Sequence, residues 1–270
     1  MTRGVMSLKA GEVVLIGSDR GGVGKTMTAE LVATRIECHG IVPVVVEVEA
    51  EPRLREVLGE KMVRSLRIAS HGPEELERDP SLLYEVWEEL GDIILDAAAP
   101  VVVDLGANLT KALAAYLLEV GTEGPFGSGD KLWFLGITGG DRFSLSSVNH
   151  GLSYMQQAVP ASHRWLVINE QNPRFQIGSE SEPVQAMVRS HRLEGVMRLQ
   201  GCTAPVLQTV VDDSQRLADA ALQEAAFWSA KGYGQSESRR AVRRLRAFLA
   251  EATAMLDPIF PPLKSAEPAA

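Results

Sequence analysis

The sequence predicts a doubly wound α/β fold, with a mostly parallel sheet and helices on both faces. Three observations predict it. Short apolar runs that read as strands alternate along the chain with longer segments of helical period. The strand runs are apolar throughout, as in Val13-Val-Leu-Ile16 and Val101-Val-Val103, the pattern of strands covered on both faces. A glycine-rich stretch separates the first strand from the first helix, the junction at which such sheets take up phosphate.

The first strand is expected over residues 12–16. The loop Gly17-Ser-Asp-Arg-Gly-Gly-Val-Gly-Lys-Thr26 follows, and a helix over 25–39 leads out of it, with Ala29, Val32, Ala33 and Ile36 on one face and Gly40 ending it. In this loop Gly21, Gly22 and Gly24 carry no side chains, so their amides are free to curl around an anion at the positive end of the helix. Lys25 has the reach for outer phosphates, and the Thr26 hydroxyl is placed to ligate Mg²⁺. The expected nucleotide-binding set is Gly21, Gly22, Val23, Gly24, Lys25, Thr26 and Met27.

The second strand is expected over 41–48, with Pro43 early in it, and runs into an acidic segment that carries Glu47, Glu49 and Glu51. Residues 52–99 read as mostly helical, with helix starts at Pro73 and Pro80 and an apolar face of Leu82, Leu83, Val86, Leu90, Ile93 and Ile94. The third strand, 99–104, closes with Asp104-Leu-Gly106. Apolar residues followed by Asp-x-Gly place Asp104 as the second metal ligand, and the side-chain-free Gly106 lets its amide approach a γ-phosphate. A helix over 109–120, a glycine-rich loop over 121–130, a strand over 132–138 and a helix over 145–158 follow. The fifth strand, 165–168, ends in Asn169, whose carboxamide offers both a donor and an acceptor to a base edge. A helix over 183–192, a strand over 195–199 and a last helix over 237–256 complete the pattern. We expect a single domain over residues 1–257 and an unfolded, proline-rich tail over 258–270.

The whole chain narrows the function. With 270 residues, 45% hydrophobic and 23% charged, it has the make-up of a globular domain. Its net charge of −8 and pI of about 5.3 argue against a uniformly basic nucleic-acid binder. One local exception is Arg239, Arg240, Arg243, Arg244 and Arg246 at the start of the last helix. Two cysteines without metal or redox spacing, no apolar signal segment and no apolar run of 18 residues lead to the expectation of a cytoplasmic protein with no transmembrane segment.

At Arg20 to Thr26 the chain resembles the ParA/MinD family of deviant-Walker P-loop ATPases, and the resemblance spans roughly residues 12–220. Arg20 stands where the family's variant loop has its first lysine. The other matches are Glu49-Ala-Glu-Pro52 for a D-x-D-P signature, Asp104-Leu-Gly106, and Asn169 at the fifth strand end. Short segments, Gly136 to Gly140 and Asp104 to Asn108, look like the plasmid-transfer branch. The resemblance implies a P-loop NTPase fold, ATP and Mg²⁺ as cofactors, and a homodimer formed on ATP binding, with Arg20 reaching across to the partner's phosphates. It further implies a protein cargo or activator, DNA contact through basic residues of the C-terminal part, and Asn169 reading the adenine. The catalytic set is Arg20, Lys25 and Glu49. Glu49 would orient the attacking water, and its extra methylene relative to aspartate implies slow hydrolysis, because a shift of about 1 Å at a reacting centre can cost roughly 100-fold. Two other classes stay open: a nucleotide-dependent scaffold with little turnover, and a small-molecule kinase or synthetase on the same fold, which would need a second polar pocket.

Overall fold

The structure, a computed structural model, describes residues 6–68, 73–171 and 177–262. Seven strands form one sheet in the order β3-β2-β4-β1-β5-β6-β7, every neighbouring pair parallel. They are β1 (Val13–Gly17), β2 (Val44–Glu49), β3 (Val63–Arg67), β4 (Val101–Leu105), β5 (Leu132–Thr138), β6 (His163–Asn169) and β7 (Gly195–Leu199). The helices are α1 (Lys25–Glu37), α2 (Leu54–Leu58), α3 (Pro73–Arg78), α4 (Tyr84–Asp96), α5 (Thr110–Val120), α6 (Arg142–Ala158), α7 (Glu182–Ser190), α8 (Leu207–Asp212), α9 (Leu217–Leu222), α10 (Ala225–Ala230) and α11 (Gln235–Ala254). This is the doubly wound, parallel α/β architecture expected from the sequence. Among the described residues no helix is long and apolar enough to cross a membrane.

Alternation along each strand divides the core in two. Val14, Ile16, Val45 and Val102 face a layer built from α1 and α8–α11, whereas Val13, Leu15, Val46 and Val103 face α4, α5, α6 and α7. Strand β1 sits between β4 and β5, so the chain winds first to one side of it and then to the other. The carboxyl end of β1 is therefore the topological switch point, where open α/β sheets bind ligands. The expected face of α1, Ala29, Val32, Ala33 and Ile36, is fully buried.

Three expectations are corrected. The stretch 52–99, expected to be mostly helical, contains the edge strand β3. Only Val63 and Leu66 of its five residues are buried, and they face opposite core layers, so no alternation marks it in the sequence. Helix α6 begins at Arg142 rather than 145, because the Asp141 side chain caps it by accepting from the Phe143 and Ser144 amides. The segment after α11 does not leave the fold at 258. Ile259 and Phe260 are buried, the Ile259 carbonyl accepts from the Met6 amide at 3.1 Å, and Arg35 of α1 binds Asp257 and the Phe260 carbonyl. The remainder of the expected tail, 263–270, lies outside the described residues.

Candidate phosphate and metal site

The loop between β1 and α1 is shaped by its glycines. Gly22 (φ 73°) and Gly24 (φ 95°) take the left-handed conformation that other residues resist. Gly24 is also the N-cap of α1 and has the Asn169 carboxamide packed against it, leaving no room for a Cβ. Lys25 is 8% exposed, and its ammonium donates to the Arg20 carbonyl across the loop at 3.1 Å. Burial pushes the Lys25 pKa down, against the opposing pull of Asp104, Glu49 and Asp19. A cation in this position, ringed by carboxylates and backbone amides, is suited to phosphate. Val23 is buried, Met27 packs partly against the core, and Gly21, Gly22 and Thr26 are open to solvent.

The metal-ligand expectation draws Thr26 and Asp104 together. Thr26 lies beside the Asp104 side chain, and Asp104 Oδ1 is buried without a partner. Burial raises the Asp104 carboxyl to about 6, with the Thr26 hydroxyl and Lys25 opposing. A hydroxyl and a carboxylate are hard oxygen donors, and an orphaned carboxylate oxygen beside them fits Mg²⁺. Among the described residues no group of three acidic, histidine or cysteine side chains gathers into a metal cage.

Glu49 reaches the same corner. Its Oε1 accepts from the Ala50 amide at 3.1 Å, and a Cβ added to Gly106 would lie 2.8 Å from its Oε2. Glu51, the other glutamate of the acidic signature, points to solvent and pairs only loosely with Arg53 at 4.0 Å. Two side chains outside the sequence-derived set belong to the site. Glu47 is 2% exposed and pairs in register with Asp104 on β4. Asp19 Oδ1 accepts from the Thr110 amide at 3.1 Å, which fastens the phosphate loop to the start of α5. The only sequence signal for Glu47 is its alternation with Glu49 at the end of an apolar strand, which puts both on the α1 face.

The Gly106 amide donates to the Val48 carbonyl at 2.8 Å, extending the β2–β4 ladder by one bond. The absence of a side chain at 106 makes room for Glu49 Oε2 and the Val48 carbonyl. The Asn169 carboxamide is 7% exposed and engaged at both ends. Its Nδ2 donates to the Val23 carbonyl at 2.9 Å, and its Oδ1 accepts from the Gln171 amide at 3.1 Å. Asn169 therefore ties the phosphate loop to the end of β6.

Arg20 is exposed and turns outward. Its guanidinium lies 5.9 Å from the centroid of the Phe143 ring, itself 73% exposed. Both line a cleft of about 650 Å³ that runs from the phosphate loop between α5 and α6, with Asn108, Lys111, His150 and Tyr154 along its walls.

The arginines of α11 divide into two sets. Arg244 donates to the Thr203 carbonyl at 2.8 Å, and Arg246 to the Ala221 carbonyl at 2.9 Å. Arg239, Arg240 and Arg243 are exposed and make no hydrogen bond or ion pair with the described residues.

No protein-family model matches the chain, and no curated protein matches it. Among solved structures it is similar to the MinD cell division protein of Aquifex aeolicus, at 15% identity and a TM-score of 0.46, covering 89% of this chain and 98% of that one. It is similar also to the MinC:MinD complex of the same organism, at 12% identity and 0.48, covering 95% and 100%. A third likeness is to a variant of Cyanothece McdA in complex with ATP, at 13% and 0.44, covering 88% and 96%. At such values the likenesses bear on the chain trace alone, and the roles argued next rest on the residues themselves.

Proposed function

We propose that this chain is an ATP-binding, slowly hydrolysing switch of the ParA/MinD type that dimerises around nucleotide and positions or segregates a cargo. The observation that carries this reading is one corner of the fold. There a left-handed glycine loop, the buried Lys25 ammonium, and a Thr26–Asp104 pair with an orphaned carboxylate oxygen meet at the carboxyl end of β1. In this reading the loop amides and Lys25 bind the phosphates, and Thr26 and Asp104 hold Mg²⁺. When bound, the ion would offset phosphate charge that the one buried lysine among the described residues cannot balance. Glu49 orients the attacking water and receives its proton. Arg20, free of its own loop, faces outward, as a residue that serves a second copy would.

The test is calorimetric titration of the chain with a non-hydrolysable ATP analogue and Mg²⁺, followed by turnover with no added substrate. Tight Mg²⁺-dependent binding with slow turnover is expected; no binding would end the proposal. Cargo of plasmid or transfer type, and DNA contact through Arg239, Arg240 and Arg243, are parts of the same proposal, supported by the exposure of those three side chains.

One observation favours a second reading, ATP-dependent transfer to a small molecule: the cleft of about 650 Å³ beside the loop has the polar walls such an acceptor needs. Turnover that requires an added acceptor would select it.

A further inference from the structure

We infer that Glu47 is a positioning residue that holds the turn after β2, and with it Glu49, in place against the phosphate loop. The inference rests on the nucleotide-switch reading for its functional consequence, whereas its structural part stands alone. Glu47 Oε1 accepts two backbone bonds, from the Arg53 amide at 2.6 Å and the Leu54 amide at 2.8 Å. The chain from 48 to 54 is thereby folded back around one carboxylate. No side chain caps the start of α2 at Arg53, so Glu47 supplies from outside what a capping residue would supply locally.

The second oxygen, Oε2, is buried and has no partner. Glu47 sits at one level of the sheet with Ser65 on β3 and Asp104 on β4, and Ser65 Oγ and Asp104 Oδ1 are likewise buried and unpartnered. A buried carboxylate with no cation paired to it is costly, and an apolar residue would serve β2 better as a strand. What the carboxylate does here is grip the turn that carries Glu49. Glu49 lies inside the gripped turn, two residues after Glu47, pressed against Gly106. Releasing Arg53 and Leu54 would let that turn, and the water-orienting carboxylate on it, drift.

The experiment compares wild type, Glu47→Ala and Glu47→Gln. In the nucleotide-free proteins, hydrogen exchange is followed over residues 50–58. Losing two charge-assisted bonds should speed exchange at Arg53 and Leu54 by at least about tenfold in Glu47→Ala. Glu47→Gln, whose amide oxygen still accepts, should recover most of the protection. With ATP and Mg²⁺, Glu47→Ala should lower kcat by roughly 10- to 100-fold while analogue affinity changes by less than about threefold, because the phosphate loop is untouched. Unchanged exchange in Glu47→Ala would overturn the inference. So would a loss of affinity as large as the loss of kcat, which would make Glu47 part of the binding site. If wild type binds no nucleotide, the proposed function falls, and the exchange comparison still judges the grip. Should Glu47→Ala fail to fold, Glu47→Asp serves, since the shorter arm cannot reach both amides and should lose protection in the same order.

Discussion

At the scale of single residues, the site is a set of charges whose surroundings fix their tasks. Lys25 is dehydrated and surrounded by carboxylates, so its ammonium is held for an anion. Replacing it with alanine removes a charge-assisted phosphate bond worth roughly 1.5–3 kcal/mol, and affinity for an ATP analogue should drop about 10- to 100-fold in calorimetry. Glu49 separates geometry from charge. Glu49→Asp should preserve or raise ATP turnover, and Glu49→Gln should lower it; equal rates in all three proteins would remove Glu49 from the reaction. The Arg20 guanidinium makes no hydrogen bond or ion pair with the described residues, and only the backbone of Arg20 binds within the loop, its amide to Ser18 and its carbonyl to Lys25. Arg20→Ala should therefore still bind nucleotide but show less ATP-dependent dimer by light scattering, and a variant that dimerises like wild type would exclude a role across the interface. The residue types at the site were legible because the loop's chemistry lies within ten consecutive positions. The partnerships of Asn169 and Glu47 were not. Asn169 meets Val23 only because β6 and the loop end at the same edge of the sheet. Glu47 is one of several glutamates until the turn closes on it.

Among the elements, α11 is the one whose surface the structure redefines. Five arginines in the sequence become two that fasten backbone carbonyls and three that stay free. A DNA contact through Arg239, Arg240 and Arg243 should be independent of sequence, with a log–log salt slope of about −2.7 per protomer, measured by anisotropy on two unrelated duplexes. Arg240→Glu combined with Arg243→Glu should abolish it, and binding that survives this pair would move the contact elsewhere. Strand β5 was legible to the residue, because a buried parallel strand writes a long apolar run. Strand β3 was not, because an edge strand half open to solvent needs only two apolar residues in five. The helices α8, α9 and α10 are six residues each, too short for a periodic face to register.

For the whole molecule, the layer that covers α1 sets how stability varies with pH. Glu30 of α1 is buried, accepts from the Leu217 amide at the start of α9, and its carboxyl is raised to about 7 by that burial, with the Leu217 bond and Arg216 opposing and Asp219 reinforcing. The native state thus keeps a proton that the unfolded chain releases near the ordinary value of 4.5. The stability this contributes is complete below that value, declines as pH climbs towards about 7, and is gone above it, a loss of up to about 3 kcal/mol. Glu30→Gln should match wild type in urea denaturation at pH 5 and exceed it at pH 8; equal stability at pH 8 would refute the assignment. The sheet order has a consequence of another kind, for how the molecule comes into being. Val13 of β1 pairs with Val101 on one side and Leu132 on the other, so the phosphate loop's own strand is flanked on both sides only when half the chain exists. Contacts so distant along the chain close slowly, and until they do an apolar strand stays open to mispairing. Chains interrupted on the ribosome before β5 should bind no nucleotide and should aggregate. Nucleotide binding would then report a chain at least half made, although its best-marked residues are among the earliest made.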